Sequence, residues 1–223
     1  MLHYETIPVT AFQQNCSLVW EDEGMMAAVI DPGGDLEVLL GACKQLGITL
    51  TDIWITHAHL DHAAATADLA EQLGLPIIGP HPGDQFWIDG LPMAAATYGF
   101  PPARPFKPTR WLADGDTVTL GTHTLHVRHC PGHTPGHTSH VIASGTKKVF
   151  VQGDVTHAPF LFARNPGWHF MLDVDGAAAE VTRRKVYDML VAERMLVQGF
   201  HYPFPAVGHV EKQGTGYREV LLN

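Results

Sequence analysis

Cysteine and basic residues are scarce in this sequence, and both shortages narrow what the protein can be. The 223 residues include only three cysteines, Cys16, Cys43 and Cys130, which are widely spaced and form no Cys-x-x-Cys pair. This pattern argues against a disulfide framework and against a cysteine-ligated structural zinc site, so we expect free thiols in a cytoplasmic protein. The 14 Lys and Arg against 23 Asp and Glu give a net charge of −9, which argues against nucleic acid as a partner.

Long apolar segments are missing as well. No stretch approaches the roughly 18 apolar residues that span a membrane, and Met1–Thr6 lacks the features that begin a signal peptide. We therefore expect no membrane and no nucleic-acid partner, but a small-molecule substrate and a monomer or homodimer. A hydrophobic content of 45% and a charged content of 17% are typical of globular chains, and the length fits one domain over residues 1–223.

Histidine, by contrast, is abundant, with 15 residues, and four potential metal ligands fall within His57–His62. This hexapeptide reads His-Ala-His-Leu-Asp-His and follows the apolar run Ile53–Thr56, which ends a predicted strand. Imidazole and carboxylate suit Zn²⁺ or a similar first-row ion, and the lack of cysteine ligands favours an open catalytic site. A polar surface turn is the simpler alternative, but this spacing rarely arises by chance.

Three further residues follow apolar or strand-like segments and can reach a common edge. His133 lies in Cys130–Thr138, Asp154 follows Val149–Gln152, and His201 follows an apolar residue near the end of the chain. Any one of them alone would more often be an ordinary loop residue. Together with the hexapeptide they supply five histidines and two aspartates, enough for two metals that share one carboxylate.

The order of these motifs resembles that of the metallo-β-lactamase-fold hydrolases. H-x-H-x-D-H is followed by P-G-H-T-x-G-H, by G-D after a hydrophobic strand and by a late histidine, so the resemblance covers essentially the whole chain. It implies an α/β fold, an αββα sandwich, with two Zn²⁺ per chain, or Fe or Mn in their place. The ligands that it implies are His57, His59 and His133 for one metal, Asp61, His62 and His201 for the other, and Asp154 between them.

The resemblance also implies a mechanism and leaves some roles open. Hydrolysis would use a metal-bridging hydroxide, with Asp61 and Asp154 as the catalytic carboxylates. His209 competes with His201 for the last ligand position, and the motif context favours His201. Asp31 and Thr56 are candidates for orienting the ligands through hydrogen bonds, although Asp31 could equally be a turn residue. No Gly-x-Ser-x-Gly motif indicates a covalent serine nucleophile.

Two parts of the chain resemble different members of this group. The first two-thirds, including Ile7–Cys16 and Cys130–Thr138, is similar to short bacterial glyoxalase II (hydroxyacylglutathione hydrolase) proteins. From about Ser144 onward, Gln152–His157 and His201–Pro205 resemble methyl parathion hydrolase and lactonase-like members. The chain could therefore be a fusion near residue 140 or an unfamiliar natural intermediate.

For the activity, we expect a thioesterase acting on S-hydroxyacylglutathione. The alternative is hydrolysis of lactones, aryl esters or organophosphate triesters. A mononuclear iron dioxygenase and a metal-free binding module are further alternatives, and the complete second ligand set argues against both.

Apolar periodicity and turn residues predict the secondary structure that would carry these motifs. Helices are expected over about Asp35–Leu46, Ala63–Leu73 and Ala177–Val197, and Phe100–Pro108 is expected to be a surface connection. Helices outside two packed sheets form an αββα sandwich. The predicted strands are Ser17–Trp20, Met26–Ile30, Asp52–Thr56, Thr117–Leu120, Thr124–His129, Ser139–Ala143 and Lys148–Gln152.

Overall fold

In a computed structural model, which describes residues 1–222, two β-sheets pack face to face between layers of helices. The strands of the first sheet are Leu2–Val9 (β1), Gln14–Glu21 (β2), Met26–Ile30 (β3), Thr49–Trp54 (β4) and Ile77–Ile78 (β5). Their order in the sheet is β1-β2-β3-β4-β5. The first three strands are antiparallel and the last three are parallel.

The second sheet has seven strands within residues 1–222, and from one edge to the other they follow their order in the chain. They are Thr117–Leu120 (β6), His123–His129 (β7), Thr138–Ser144 (β8), Lys147–Val151 (β9), Leu196–Gln198 (β10), Val207–Gln213 (β11) and Gly216–Leu221 (β12). Neighbouring strands are antiparallel except β9 and β10, which are parallel.

Six helices cover the outer faces and the loops of the sandwich. They are Leu36–Leu46 (α1), Leu60–Ala63 (α2), Thr66–Leu73 (α3), Gln85–Tyr98 (α4), Pro159–Phe162 (α5) and Gly176–Glu193 (α6), with a 3₁₀ turn at Pro82–Asp84. None of the helices within residues 1–222 is long and apolar enough to cross a membrane.

The burial of apolar side chains explains the four-layer arrangement. Val19 of β2 and Val127 of β7 belong to one buried cluster, because the inner faces of the two sheets meet. Leu39 of α1 joins the cluster on the outer face of the first sheet, and Leu190 of α6 joins the cluster on the outer face of the second. Each sheet thus buries one face against its partner and the other against helices, which gives the predicted αββα sandwich.

The strand ends place the predicted ligands at one edge of this sandwich. Strands β4, β9 and β10 end at Trp54, Val151 and Gln198, and His57, Asp154 and His201 each follow three residues later. His133 lies in the loop that precedes β8. Because these residues follow the ends of strands in both sheets, the loops that carry them meet at this edge.

Two of the predicted helices differ from those observed. The helix predicted to reach Val197 ends at Glu193, because Arg194 adopts a left-handed conformation with φ 50°. The next residues form β10, where Val197 pairs with Phe150 and is fully buried, so sheet pairing overrides the helical periodicity there. The helix predicted over Ala63–Leu73 is divided into α2 and α3.

The proline-rich segment is also only partly as predicted. Residues 100–108 form neither helix nor strand, as expected of a connection. Ala103 and Phe106 are nevertheless buried in the cluster on the outer face of the first sheet. The segment therefore closes part of the core as well as connecting β5 and α4 to the second sheet.

Candidate metal centre

The seven side chains predicted as ligands lie in one buried cluster at the edge described above. Asp154 is at its centre and is 2% exposed. Its Oδ2 lies 3.7, 3.3, 3.4 and 3.2 Å from the Nε2 atoms of His57, His62, His133 and His201, respectively. One carboxylate oxygen therefore lies close to all four predicted histidine ligands, and His157 Nε2 lies 2.9 Å from the same oxygen.

Four groups of three potential ligands lie within residues 1–222, and two of them together hold the other six predicted ligands. A further group joins His157 to His133 and Asp154. Within each group the potential ligand atoms lie within 4.8 Å of one another. In the second group, Asp61 Oδ2 lies 3.6 Å from His62 Nε2 and 3.3 Å from His201 Nε2. The two groups are His57, His59 and His133, and Asp61, His62 and His201. These are the sets expected from the sequence.

Asp31 and Thr56 orient two of the histidines through contacts with their Nδ1 atoms. Asp31 is fully buried, and its carboxylate accepts hydrogen bonds from the Thr56 N–H at 2.7 Å and the Thr56 hydroxyl at 2.5 Å. Because the hydroxyl donates to Asp31, it can accept from Nδ1 of His57 at 3.1 Å. Asp31 Oδ2 also lies 2.9 Å from Nδ1 of His62. Both imidazoles then keep the Nε2 lone pair for the centre of the cluster.

His133 is oriented by Asp173, whose carboxylate also forms a buried ion pair with Arg183. Its Nδ1 lies 3.0 Å from Asp173 Oδ1, and Asp173 Oδ2 lies 3.5 Å from the guanidinium of Arg183. Arg183, on α6, is 1% exposed and also donates to three backbone carbonyls. The long helix is thereby connected to the histidine through one carboxylate.

Asp84 joins the loop of the hexapeptide to the loop of His133. Its Oδ2 accepts from the Ala58 N–H at 3.0 Å and from the Thr134 hydroxyl at 2.8 Å, and its Oδ1 accepts from the Gly136 N–H at 2.6 Å. Burial raises the pKa of Asp84, although these donors oppose the shift. The carboxylate fixes the two loops relative to each other without entering the cluster.

Gly153 allows the backbone to approach the cluster closely. It has φ 60°, and a Cβ atom added there would lie 2.5 Å from Nε2 of His137. That nitrogen accepts the N–H of Asp154 at 2.9 Å. His137 is thus engaged with the backbone, and only glycine fits between it and the strand end.

Burial controls the charge of His57 and His59, whereas Asp154 and Asp173 raise the pKa of His133 against the effect of burial. Desolvation lowers the pKa of His57 and of His59 well below the usual range. Both imidazoles are therefore neutral near pH 7, which is the form that binds metals.

The carboxylates and the second group of histidines influence one another. Although burial opposes it, His201 and His62 hold the pKa of Asp154 well below its usual range, and His62 and His201 lower that of Asp61 to about 2. In return, and again against burial, Asp154 and Asp61 raise the pKa of His62, and Asp154 raises that of His201 to about 9. Protons on the histidines neutralise the negative charge of Asp154 and Asp61. Metal cations that displaced these protons would neutralise the same charge.

The donor set fits a pair of divalent cations. His57 Nε2, His133 Nε2 and Asp154 Oδ1 are buried and make no well-aligned hydrogen bond within residues 1–222. Buried polar atoms of this kind normally have a partner. Imidazole nitrogen and carboxylate oxygen suit Zn²⁺, Fe and Mn alike.

The structure also separates the two histidines that competed for the last ligand position, and it adds residues that the motifs did not mark. His209 is exposed on β11 and lies outside every group of potential ligands within residues 1–222, whereas His201 lies inside one. His157 and Asp173 contact the cluster, Asp84 joins the loops that carry it, and none of the three was among the predicted site residues. His157 follows Asp154 by three residues in the motif Gln152–His157, which was the only signal in the sequence.

Comparisons with known proteins agree with this geometry. The sequence model of the metallo-β-lactamase superfamily matches residues 9–194. The chain is 42% identical over 155 residues to the hydroxyacylglutathione hydrolase GloC of Haemophilus influenzae, covering 69% of this chain and 72% of that protein. The predicted similarity of the N-terminal region to glyoxalase II is confirmed.

Two further proteins are similar over nearly the whole length. An uncharacterized protein of Aquifex aeolicus is 32% identical over 221 residues, covering 98% of both chains. That alignment crosses residue 140, and a fusion there stays a prediction. The solved structure of TTHA1623 in a di-iron-bound form matches with a TM-score of 0.73 and 29% identity, covering 89% of this chain and 92% of that one.

Proposed function

The chain belongs to the metallo-β-lactamase superfamily of metal-dependent hydrolases, and we propose that it hydrolyses the thioester of an S-hydroxyacylglutathione. The observation that carries the hydrolase assignment is the placement of two ligand groups around the shared carboxylate of Asp154. The similarity to the Haemophilus hydroxyacylglutathione hydrolase supports the choice of substrate.

We assign the seven residues as the ligands of two cations. Zn²⁺ is the proposed metal, and iron is the alternative because a similar protein was solved with two iron ions. His57, His59 and His133 would hold one cation, Asp61, His62 and His201 the other, and Asp154 both.

The residues around the proposed metals have different roles in the hydrolysis. Bound cations would supply a water of lowered pKa and polarise the substrate carbonyl. The side chain of Asp61 is 13% exposed, against 2% for Asp154, so Asp61 is the carboxylate that can accept a proton from the attacking water. Asp31 and Asp173 keep the imidazoles of His62 and His133 in orientation, as partners of metal ligands generally do.

The test is the substrate profile of the zinc-loaded protein. We expect a kcat/KM for S-lactoylglutathione of about 10⁴ M⁻¹s⁻¹ or more, as for ordinary enzymes. Asp154→Asn keeps the size of the side chain but removes its charge, so it should nearly abolish turnover and shows that the activity belongs to this site. A wild-type rate for thioester far below that for methyl parathion or a lactone would reject the thioesterase assignment.

A second candidate function rests on an apolar surface beside the cluster. The ring of Phe170 lies 4.0 Å from that of His157 and stacks on His133, with centroids 6.3 Å apart. Trp168 and Met171, which lie near Phe170 in the sequence, are 54% and 89% exposed. Such a surface suits the apolar part of a lactone, aryl ester or phosphotriester. Trp168→Ala should then weaken turnover of those substrates more than turnover of the thioester.

A further inference from the structure

His157 is an eighth polar side chain in the cluster and has no part in the ligand assignment above. Its Nε2 lies 2.9 Å from Asp154 Oδ2, the shortest of the five imidazole contacts with that oxygen. The residue is buried, so this position is not that of a mobile surface side chain. Its proximity to the reacting centre requires an explanation.

The packing of His157 gives its ring a defined orientation. The ring stacks on His201 with centroids 4.8 Å apart and an interplanar angle of 17°, and it lies 4.8 Å from the ring of His133. Phe170 covers it at 4.0 Å and is itself packed against Phe162 at 5.6 Å. His157 therefore touches one member of each ligand group.

The number of ligands argues against His157 as a further one. Each group of three, completed by Asp154, already provides four ligands, and a bridging water would be a fifth, so neither site needs His157. The Nε2 atom of His157 lies 2.9 Å from Asp154 Oδ2, without the alignment of a hydrogen bond. When Asp154 holds two cations, an N–H at this position needs another acceptor. The His133 and His201 rings beside it would be committed to the cations, which leaves an oxygen of a bound substrate as the acceptor.

We propose that His157 is a catalytic residue that donates a hydrogen bond from Nε2 to the substrate oxygen on which negative charge develops. The proton stays on the imidazole throughout, so no group is transferred. The proposal rests on the proposed hydrolase function but not on the thioester, because the carbonyl oxygen of an ester or lactone and the phosphoryl oxygen of a triester gain charge in the same way. Such a donor acts in the transition state rather than in substrate binding.

Two variants separate this role from those of a ligand or a packing residue. His157→Phe keeps a ring against His201 and Phe170 but removes the N–H. His157→Gln loses the ring but restores a donor. His126→Phe makes the same exchange on the exposed face of β7, outside the cluster, and serves as the control.

For each zinc-loaded protein, metal content is measured by plasma mass spectrometry, together with kcat and KM for S-lactoylglutathione, methyl parathion and a lactone. We expect His157→Phe to retain the wild-type metal content and to lose about 10²–10³-fold in kcat on the substrate that wild type prefers, with little change in KM. His157→Gln should recover part of that loss, and His126→Phe should match wild type.

Three results would overturn the proposal. Loss of one metal from His157→Phe would make His157 a ligand. A wild-type kcat in His157→Phe would remove any catalytic role. A His157→Gln variant as slow as or slower than His157→Phe would assign the effect to ring packing. A wild-type preference for a substrate other than the thioester would reject the proposed substrate, while the comparison of variants on that substrate would still decide the role of His157.

Discussion

Replacing Arg183 with methionine tests whether one buried side chain organises the loop beside the cluster. Arg183 is 1% exposed, and its guanidinium lies 3.5 Å from the carboxylate of Asp173. It also donates to backbone carbonyls at 3.2, 2.9 and 2.9 Å, those of Val155, Pro166 and Trp168. These carbonyls belong to the segment that runs from Asp154 to the start of α6.

The expected cost follows from what the substitution leaves behind. Methionine fills a similar volume, so the loss is electrostatic rather than a cavity. Breaking a buried ion pair by removing one partner costs about 3–5 kcal/mol, because the other charge stays buried. Each carbonyl left without a donor adds up to about 1–3 kcal/mol, unless the loop relaxes toward water. Since this loop reaches the surface, we expect about 3–5 kcal/mol in total.

The assay is urea unfolding of metal-free protein, followed by fluorescence and circular dichroism. A chelator is present because bound metal would stabilise the folded state by an amount that depends on its concentration. Arg184→Met is the matched control, since Arg184 is half exposed and pairs with Glu180 on the surface of the same helix. Such pairs contribute about 0.2–1 kcal/mol. Equal losses for the two variants would refute the organising role of Arg183.

Two further predictions concern the C-terminal part of the chain, one about stability and one about metal binding. Burial raises the pKa of Glu219 to about 7, so the folded chain retains a proton that the unfolded chain releases near its ordinary value, and stability falls as pH rises through this interval. Glu219→Gln should therefore stabilise the protein by roughly 1–2 kcal/mol at pH 8, after allowance for solvent screening, and leave it unchanged at pH 4; an equal effect at both pH values in denaturant unfolding would contradict this. His201→Ala should lose one metal per chain and His209→Ala none, as measured by plasma mass spectrometry, and the reverse pattern would move the ligand to His209.

The motifs predicted the fold and most of the cluster because strand ends and ligand spacing are local signals. Met26–Ile30 and Thr117–Leu120 are strands with the predicted bounds. The two halves of the chain are brought together by sheet packing, so His62 and His201, which are 139 residues apart, meet with their Nε2 atoms 3.3 Å from each other.

The features that were missed depend on tertiary contacts. Helix α4 contains Pro92, which normally argues against a helix, and its buried face is supplied by packing on the first sheet. Asp173 lies 40 residues from His133 in an irregular segment with no periodicity to mark it. The direction of His157 depends on Phe170, which reaches it only in the folded chain.

Calorimetric titration of Zn²⁺ into chelator-stripped protein tests the central claim most directly. The shared carboxylate of Asp154 predicts two bound ions per chain, with release of protons from the cluster. Repeating the titration in buffers of different ionisation enthalpy measures that release. A stoichiometry of two with proton release agrees with the dinuclear centre. One ion per chain, or none, at saturating Zn²⁺ would contradict it.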